Sequence, residues 1–354
     1  MSNRKKLIFI LLVISISAFV FIFSKYNHSV SKKNSEPISK SDFFFGTVVD
    51  IKIYDEASEE IFKDVFSILD DIEKKMSINL NNSEISKINN NAGSKEIVVS
   101  PETFYVIKKG KYYSSLSKGN FDISIGPLVK LWGIGSENPH LPSSKELKKA
   151  IALIDYNNIL LDDAKSSVKL LRKGMMLDLG GIAKGYAADE IAKYLNSRGI
   201  ENAIINLGGN VYAMGQNPAL RPWNIGVQNP FDLRGKYIGI LHVKNKTVVT
   251  SGIYERYFEK NGKRYHHILN PFTGYPVENS LASVSIVADK SIDADALSTT
   301  LFSLGIEKGS KLAESLDGVD AIFITKDKKV YITSGLKNIF EISDENFKLI
   351  SSFR

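Results

Sequence analysis

The 354-residue chain contains no cysteine. That absence excludes disulfides, thiolate catalysis, zinc–sulfur centres and lipid attachment through a cysteine thiol. Histidine is scarce, with five residues in all, so imidazole chemistry is confined to a few positions. No internal repeat is visible, and no low-complexity segment divides the chain after residue 43. Neither familiar nucleotide loop is present, because no G-x-x-x-x-G-K-[ST] or G-x-G-x-x-G order occurs where it would be needed. The basic residues, which give a formal net charge of +7, are scattered rather than clustered, and this argues against nucleic-acid binding. The charge serves either solubility or attraction to anionic lipid and phosphorylated ligands.

One long apolar run is present. The basic leader "MSNRKK" precedes "LIFILLVISISAFVFIF" (Leu7 to Phe23), a run of about 17 residues at the short end of a membrane-spanning length. The flanking Lys and Arg predict that the amino terminus stays in the cytoplasm. The segment "SKYNHSVSKKNS" offers no convincing small-x-small cleavage site, so residues 1–25 read as an uncleaved signal anchor, with a cleaved signal peptide as the alternative. Residues 26–42, rich in Ser, Lys and Asn, read as a tether. The remainder is expected on the far side of a cell membrane, or secreted.

Residues 43–354 alternate strand and helix patterns and read as one α+β domain. "FFFGTVVDIKIYD" reads as a first strand from Phe43 to Asp55. Ile61, Val65, Ile68, Leu69 and Ile72 mark an amphipathic helix, and a second helical pattern follows Pro101. "MMLDLGG" reads as a buried strand ending at Asp178, followed by a helix carrying Ile182, Tyr186, Ile191 and Leu195 inward. The carboxyl-terminal half is richer in strands, interrupted by the helix "DADALSTTLFSLG".

Four stretches offer chemistry. In "SIDADALSTTLFSLG", Asp295 and Thr299 are four apart and share one helix face. A carboxylate and a hydroxyl are hard oxygen donors suited to Mg²⁺, which needs few protein ligands beside water and phosphate. Asp293 and Asp295 would equally serve as caps of that helix. "YHHILNPFTGYPV" holds His266 and His267, either of which would act as a general base or phosphate donor near neutral pH. Neighbours in a strand point to opposite faces, so at most one of the two faces a site. "SKGNFDISIGPLVKLWGIG" sets Asn120, Phe121 and Asp122 beside a Gly-Pro bend, a place for a planar ring or simply a packed loop. "DLGGIAKGYAAD" places Gly180 and Gly181 before a helix start whose N–H groups favour anions. Lys184 in the first turn opposes the helix dipole, which hints at a role with phosphate. Together these segments read as a metal-dependent pyrophosphate site.

Taken in order, "FGTVVDI", "SINLNNSEISKIN", "GNFDISIGPLVKLWGIG", "LDLGGIAKGYAAD", "INLGGNVYAMG", "WNIGVQNP", "VVTSGIYERYF", "HHILNPFTGYPV" and "DADALSTTLFSLG" resemble the FAD:protein FMN transferase family, the ApbE-type flavin transferases. The resemblance runs from about Phe45 to the carboxyl terminus and implies the family's α+β, T-fold-like architecture. It implies an enzyme that cleaves FAD, releases AMP and leaves FMN in a phosphoester on a Thr or Ser hydroxyl of a partner. Such partners are FMN-binding domains or subunits of membrane redox complexes. Carried over by motif, Mg²⁺ would be held by Asp295, Thr299 and the Ala183 carbonyl, with Ser298 close by. Phe45, Asn79, Asn120, Phe121, Asp122, Asp178, Lys184 and the backbone near Ile268 would contact FAD. His267, which fits H-x-x-[ND]-P, or Asp178 would take the acceptor proton, and Lys184 would offset charge on the pyrophosphate.

Three departures from the family pattern stand out. The lipobox cysteine is missing, Phe45 replaces the common Met, and Asn79 falls where an aromatic is usual. Losing that stacking surface would admit water, so an FAD pyrophosphatase is the first alternative. A tethered flavin-binding protein without catalysis is the second.

Overall fold

The computed structural model describes residues 36–350. The signal anchor assigned to residues 1–25, and residues 26–35 of the tether, lie outside the described residues. Among the described residues no helix is long and apolar enough to cross a membrane.

The fold is a mixed α+β arrangement around a nine-stranded sheet that follows chain order. Its strands are Ile38–Phe44, Thr47–Ile53, Ala203–Leu207, Asn210–Met214, Lys246–Gly252, Leu281–Ala288, Asp320–Thr325, Lys329–Ile332 and Lys348–Ile350. Every neighbouring pair is antiparallel except the last, in which Val330 pairs Leu349 in a parallel register. Alternation selects the faces: Val49, Ile51 and Ile53 are fully buried, as are Ala203, Ile205 and Leu207 on the paired strand. These side chains meet Val65, Leu69, Ile191, Leu195, Leu297 and Leu301 from the helices on one side. The opposite face of the central strands contributes Val248, Val287, Ile322 and Ile324 to a second core. That core is closed by a small sheet of Phe340–Ile342, Tyr237–Val243 and Trp223–Gln228. Covered on both faces, Leu281–Ala288 is buried at all of its residues, which explains its unbroken apolar and small-residue run.

Two expectations need correction. The run read as one strand from Phe43 to Asp55 is a hairpin, in which Phe44 pairs with Thr47 across a two-residue turn. Phe45 (φ 53°) and Gly46 (φ 68°) both occupy the left-handed region, the conformation such a turn needs. The first strand begins at Ile38, so residues 38–42 belong to the sheet rather than to the tether. Glycine at the second turn position was a legible turn signal, but phenylalanine at the first hid it.

"MMLDLGG" is extended and largely buried, yet it joins no sheet and makes a single bridge, between Met176 and Ile125. Its polar backbone is satisfied instead by Asn89. The Asn89 amide accepts from the Leu177 N–H at 2.7 Å and donates to the Leu177 carbonyl at 3.0 Å. The Asp178 N–H donates to the Ile123 carbonyl at 2.8 Å. A long-range asparagine thus replaces a neighbouring strand, which periodicity does not reveal.

Two helices carry most of the candidate chemistry, Ala183–Ser197 and Ser291–Glu314. The second changes direction at Gly305, whose φ of 75° is non-helical. They exchange carboxylates at their amino ends. Asp189 accepts the free N–H groups of Ser291 (2.8 Å) and Ile292 (2.9 Å), and Asp295 accepts the N–H of Gly185 (2.9 Å). Each helix therefore offers a carboxylate to the amino end of the other, which satisfies one orphan donor of the first and two of the second. The capping role considered for Asp293 and Asp295 on their own helix is not what they do: Asp293 pairs with Lys109 at 2.9 Å, and Lys290 holds the cap position.

Gly185 makes this approach possible, because a Cβ there would lie 2.2 Å from the Ser291 carbonyl oxygen. Gly185→Ala is therefore expected to push the helices apart and destabilise the protein by about 1–3 kcal/mol or more. Thermal unfolding should register this as a clear fall in Tm.

Candidate active site

The extended segment through Asp178, the first turn of the Ala183–Ser197 helix and the second turn of the Ser291–Glu314 helix converge. Asp295 is buried, with Oδ2 committed to the Gly185 N–H. Its Oδ1 faces the Lys184 ammonium at 3.8 Å. Lys184 also donates to the Gly180 carbonyl at 3.3 Å, so its charge is held over the glycine turn.

Gly181 leaves room beside Thr299 and Phe121: a Cβ at that position would be 3.7 Å from Thr299 Oγ1 and 3.1 Å from the Phe121 ring. Thr299 and Ser298 are joined to Ser251, at the end of strand Lys246–Gly252, by hydroxyl contacts of 3.3 and 2.8 Å. Ser298 donates to the Asp295 carbonyl at 2.8 Å, which leaves its hydroxyl engaged on both sides. Ala183 is the first residue of its helix and is buried.

Hard oxygen donors dominate the cluster, and a single carboxylate supplies its negative charge. Among the described residues no three of His, Cys, Asp and Glu gather into a ready-made metal cage. That donor set fits a cation that keeps water and ligand oxygens, as Mg²⁺ does, and not a zinc centre. Ser298 is held by Ser251 and by the Asp295 carbonyl, with one oxygen lone pair left over.

Asp178 and His267 both lie within reach of the Lys184 and Arg256 charges. Asp178 is half-buried, and its Oδ1 accepts the Gly180 N–H at 2.7 Å. Burial pushes its carboxyl up, opposed by the Gly180 hydrogen bond and by the charges of Lys184 and Arg256. His267 is pushed down to about 4, chiefly by burial and further by the charges of Arg256, His266 and Lys184. Its Nδ1 lies 3.2 Å from the Arg256 carbonyl. A carbonyl only accepts, so the proton of the neutral ring sits on Nδ1 and Nε2 carries the free lone pair.

His266 behaves oppositely. It is buried, its Nε2 donates to the Val277 carbonyl at 3.1 Å, and its ring meets Phe302 edge-on. The expected strand alternation does not apply to the pair, because His266 ends strand Lys263–His266 and His267 lies in the bend after it, within reach of the Lys184 charge.

Several residues singled out in the sequence stand apart from this cluster. Asp122 is buried and turned inward, its carboxylate taken by the Ser124 N–H, the Ser124 hydroxyl and the Tyr156 N–H at 2.8, 2.7 and 3.1 Å. Asn120 donates to the Ser117 carbonyl at 2.8 Å and closes its own loop. Ile268 is buried, with its carbonyl accepting from Val277. Asn79 is exposed in the turn after helix Glu59–Met76. Phe45 is tied in by its backbone, its N–H donating to Glu73 at 2.8 Å. The residues missed are Ser251, Asp189, Gly185, Glu73 and Arg256. An acid on the small-residue face of a helix was the signal available for Asp189, and none marked the others.

Two clefts of about 410 and 340 Å³ lie elsewhere, one beyond His266 and one between helices Glu59–Met76 and Ala183–Ser197. Neither is lined by Asp295, Lys184, Thr299 or His267. Converging polar groups, rather than cavity volume, define the candidate site.

This arrangement has counterparts. The sequence model of the ApbE family matches residues 45–323. The chain belongs to the ApbE family. Its ApbE relatives include the FAD:protein FMN transferase of Klebsiella pneumoniae, 38% identical over 312 residues that cover 88% of this chain and 96% of that protein. The FAD:protein FMN transferase of Treponema pallidum is 36% identical over 328 residues, covering 88% and 91%. Among solved structures, the flavin transferase ApbE of Vibrio cholerae superposes with a TM-score of 0.78 at 30% identity, covering 86% of this chain and 99% of that one. Membership in the ApbE family makes this chain an enzyme of the flavin-transferase type.

Proposed function

We propose that this protein is a Mg²⁺-dependent FAD:protein FMN transferase. The observation that carries the reading is the Asp295 carboxylate. One of its oxygens is fixed by the Gly185 N–H and the other is turned to Lys184, and Thr299 lies four residues on along the same helix. Held by Asp295, Thr299 and the Ala183 carbonyl, Mg²⁺ would supply Lewis-acid neutralisation of the pyrophosphate. Lys184 adds a second positive charge over the glycine turn. Phe45, Asn79, Asn120 to Asp122, Asp178 and Ile268 are the residues assigned to FAD, with Asp122 acting through the loop it braces.

In the proposed reaction, the acceptor hydroxyl oxygen forms a bond to the phosphorus on the flavin side of FAD. The bond from that phosphorus to the bridging oxygen breaks, and AMP leaves with the bridging oxygen. Nε2 of His267 takes the hydroxyl proton. Asp178, with its carboxyl pushed up, is the second candidate for that proton.

The proposal extends to place and partner. The basic leader and the apolar run before residue 26 support a membrane anchor with the T-fold-like catalytic domain outside the cytoplasm. The acceptor is a flavin-binding domain or a subunit of a membrane redox complex.

Exposure of Asn79, where the family resemblance leads one to expect an aromatic, favours hydrolysis as a second reading. Measuring AMP release with and without Mg²⁺, and with and without an acceptor domain, tests both. Transfer predicts metal-dependent AMP release that rises with acceptor. Release indifferent to acceptor supports hydrolysis, and no release in any mixture would refute both.

A further inference from the structure

Arg256 lies in the bend between strands Lys246–Gly252 and Tyr257–Lys260, outside any ladder of regular hydrogen bonds. Its side chain and its main chain point to different partners. Nη2 donates to the carbonyls of Phe45 and Gly46, each at 3.2 Å. Its own carbonyl accepts the His267 N–H at 3.1 Å and the His267 Nδ1–H at 3.2 Å. An exposed arginine ordinarily contributes little. This one instead joins two segments more than 200 residues apart in sequence, one carrying Phe45, assigned to FAD, and the other His267, assigned as the base.

The surroundings are shaped for it. A Cβ at Gly46 would lie 3.3 Å from Nη2, and one at Gly135 would lie 3.4 Å from Cδ. The turn that it grips holds a non-glycine residue, Phe45, at φ 53°. Such a conformation is strained for a residue with a side chain and persists only when neighbours over-determine it. Glu73 takes the Phe45 N–H on one side, and Arg256 takes the two carbonyls on the other.

We propose that Arg256 is a positioning residue for FMN transfer: its guanidinium locks the Phe45–Gly46 turn, and through the bend so fixed its carbonyl holds His267 with Nε2 free. The inference rests on the transferase reading for the reaction that it serves, and on geometry alone for the clamp.

Two measurements on the full chain test it. With FAD and an acceptor domain, Arg256→Ala should lower kcat by about 10- to 100-fold, the cost typical of a misplaced catalytic group. KM for FAD should change less than kcat, and Arg256→Lys, which keeps one donor, should recover part of the loss. Nitrogen-15 NMR of the imidazole, recorded without flavin, should show the Nδ1–H tautomer in the wild type and mixed tautomers in Arg256→Ala. A kcat within about twofold of wild type, or an unchanged tautomer, overturns the proposal. If Arg256→Ala does not fold, Arg256→Lys carries both readouts, with the same two results counting against it. Because the tautomer is read without substrate, an inactive wild type that still shows the Arg256-dependent tautomer sinks the transferase reading and supports the clamp.

Discussion

Replacing Asp295 with asparagine is expected to lower Mg²⁺-dependent flavin transfer by about a thousandfold or more. Lewis-acid charge neutralisation is worth several kcal/mol, and each ~1.4 kcal/mol is a factor of ten. The choice of asparagine matters. Asp295 also accepts the buried N–H of Gly185, and alanine would leave that donor unsatisfied at a cost of about 1–3 kcal/mol. Asparagine keeps an acceptor for Gly185 while removing the negative charge. Asp295→Asn should therefore unfold close to the wild-type Tm and be inactive, whereas Asp295→Ala should be inactive with a lowered Tm. Full activity in Asp295→Asn would refute the metal assignment. Thr299→Ala, which removes a partly exposed hydroxyl, should give a smaller loss in the same assay.

Loss of His267 is the second large effect. His267→Ala is expected to reduce kcat by about 10²–10⁴-fold, the usual contribution of a positioned general base. The pH dependence distinguishes this imidazole from an ordinary one. A base works only when neutral, and burial holds His267 down to about 4 rather than 6.5. The acid limb of kcat/KM should then lie near pH 4, with a plateau already reached where a solvated histidine would still be half protonated. An acid limb at 6.5 would contradict the assignment.

Stability carries the matching sign. Between pH 6.5 and 4 the unfolded chain protonates His266 and His267 while the folded chain does not, so acidification through that window destabilises. Asp189 has the opposite sign. Burial raises it to about 6, so the folded chain takes up its proton first, and acidification through 6 partly offsets the loss.

Legibility in the sequence followed the range of the interactions. Helix Glu59–Met76 announces itself through local apolar spacing, because Ile61, Val65, Leu69 and Ile72 line its buried face. Long-range polar contacts left no comparable trace. Asn89 stands in for a strand partner of Leu177, Asp189 caps a helix about a hundred residues away, and Arg256 reaches back to Phe45. Each is a single side chain satisfying a distant backbone group, and neither period nor composition encodes its partner. Asp122 illustrates the reverse. Its place beside Asn120 and Phe121 suggests ligand contact, yet its carboxylate is consumed by Ser124 and Tyr156.

The central claim is transfer of FMN to a protein hydroxyl. Its most direct test is the intact mass of an acceptor flavin-binding domain after incubation with this protein, FAD and Mg²⁺. The account predicts one added FMN on a Thr or Ser, one AMP released per adduct, and no addition with Asp295→Asn. AMP released with the acceptor mass unchanged would contradict it.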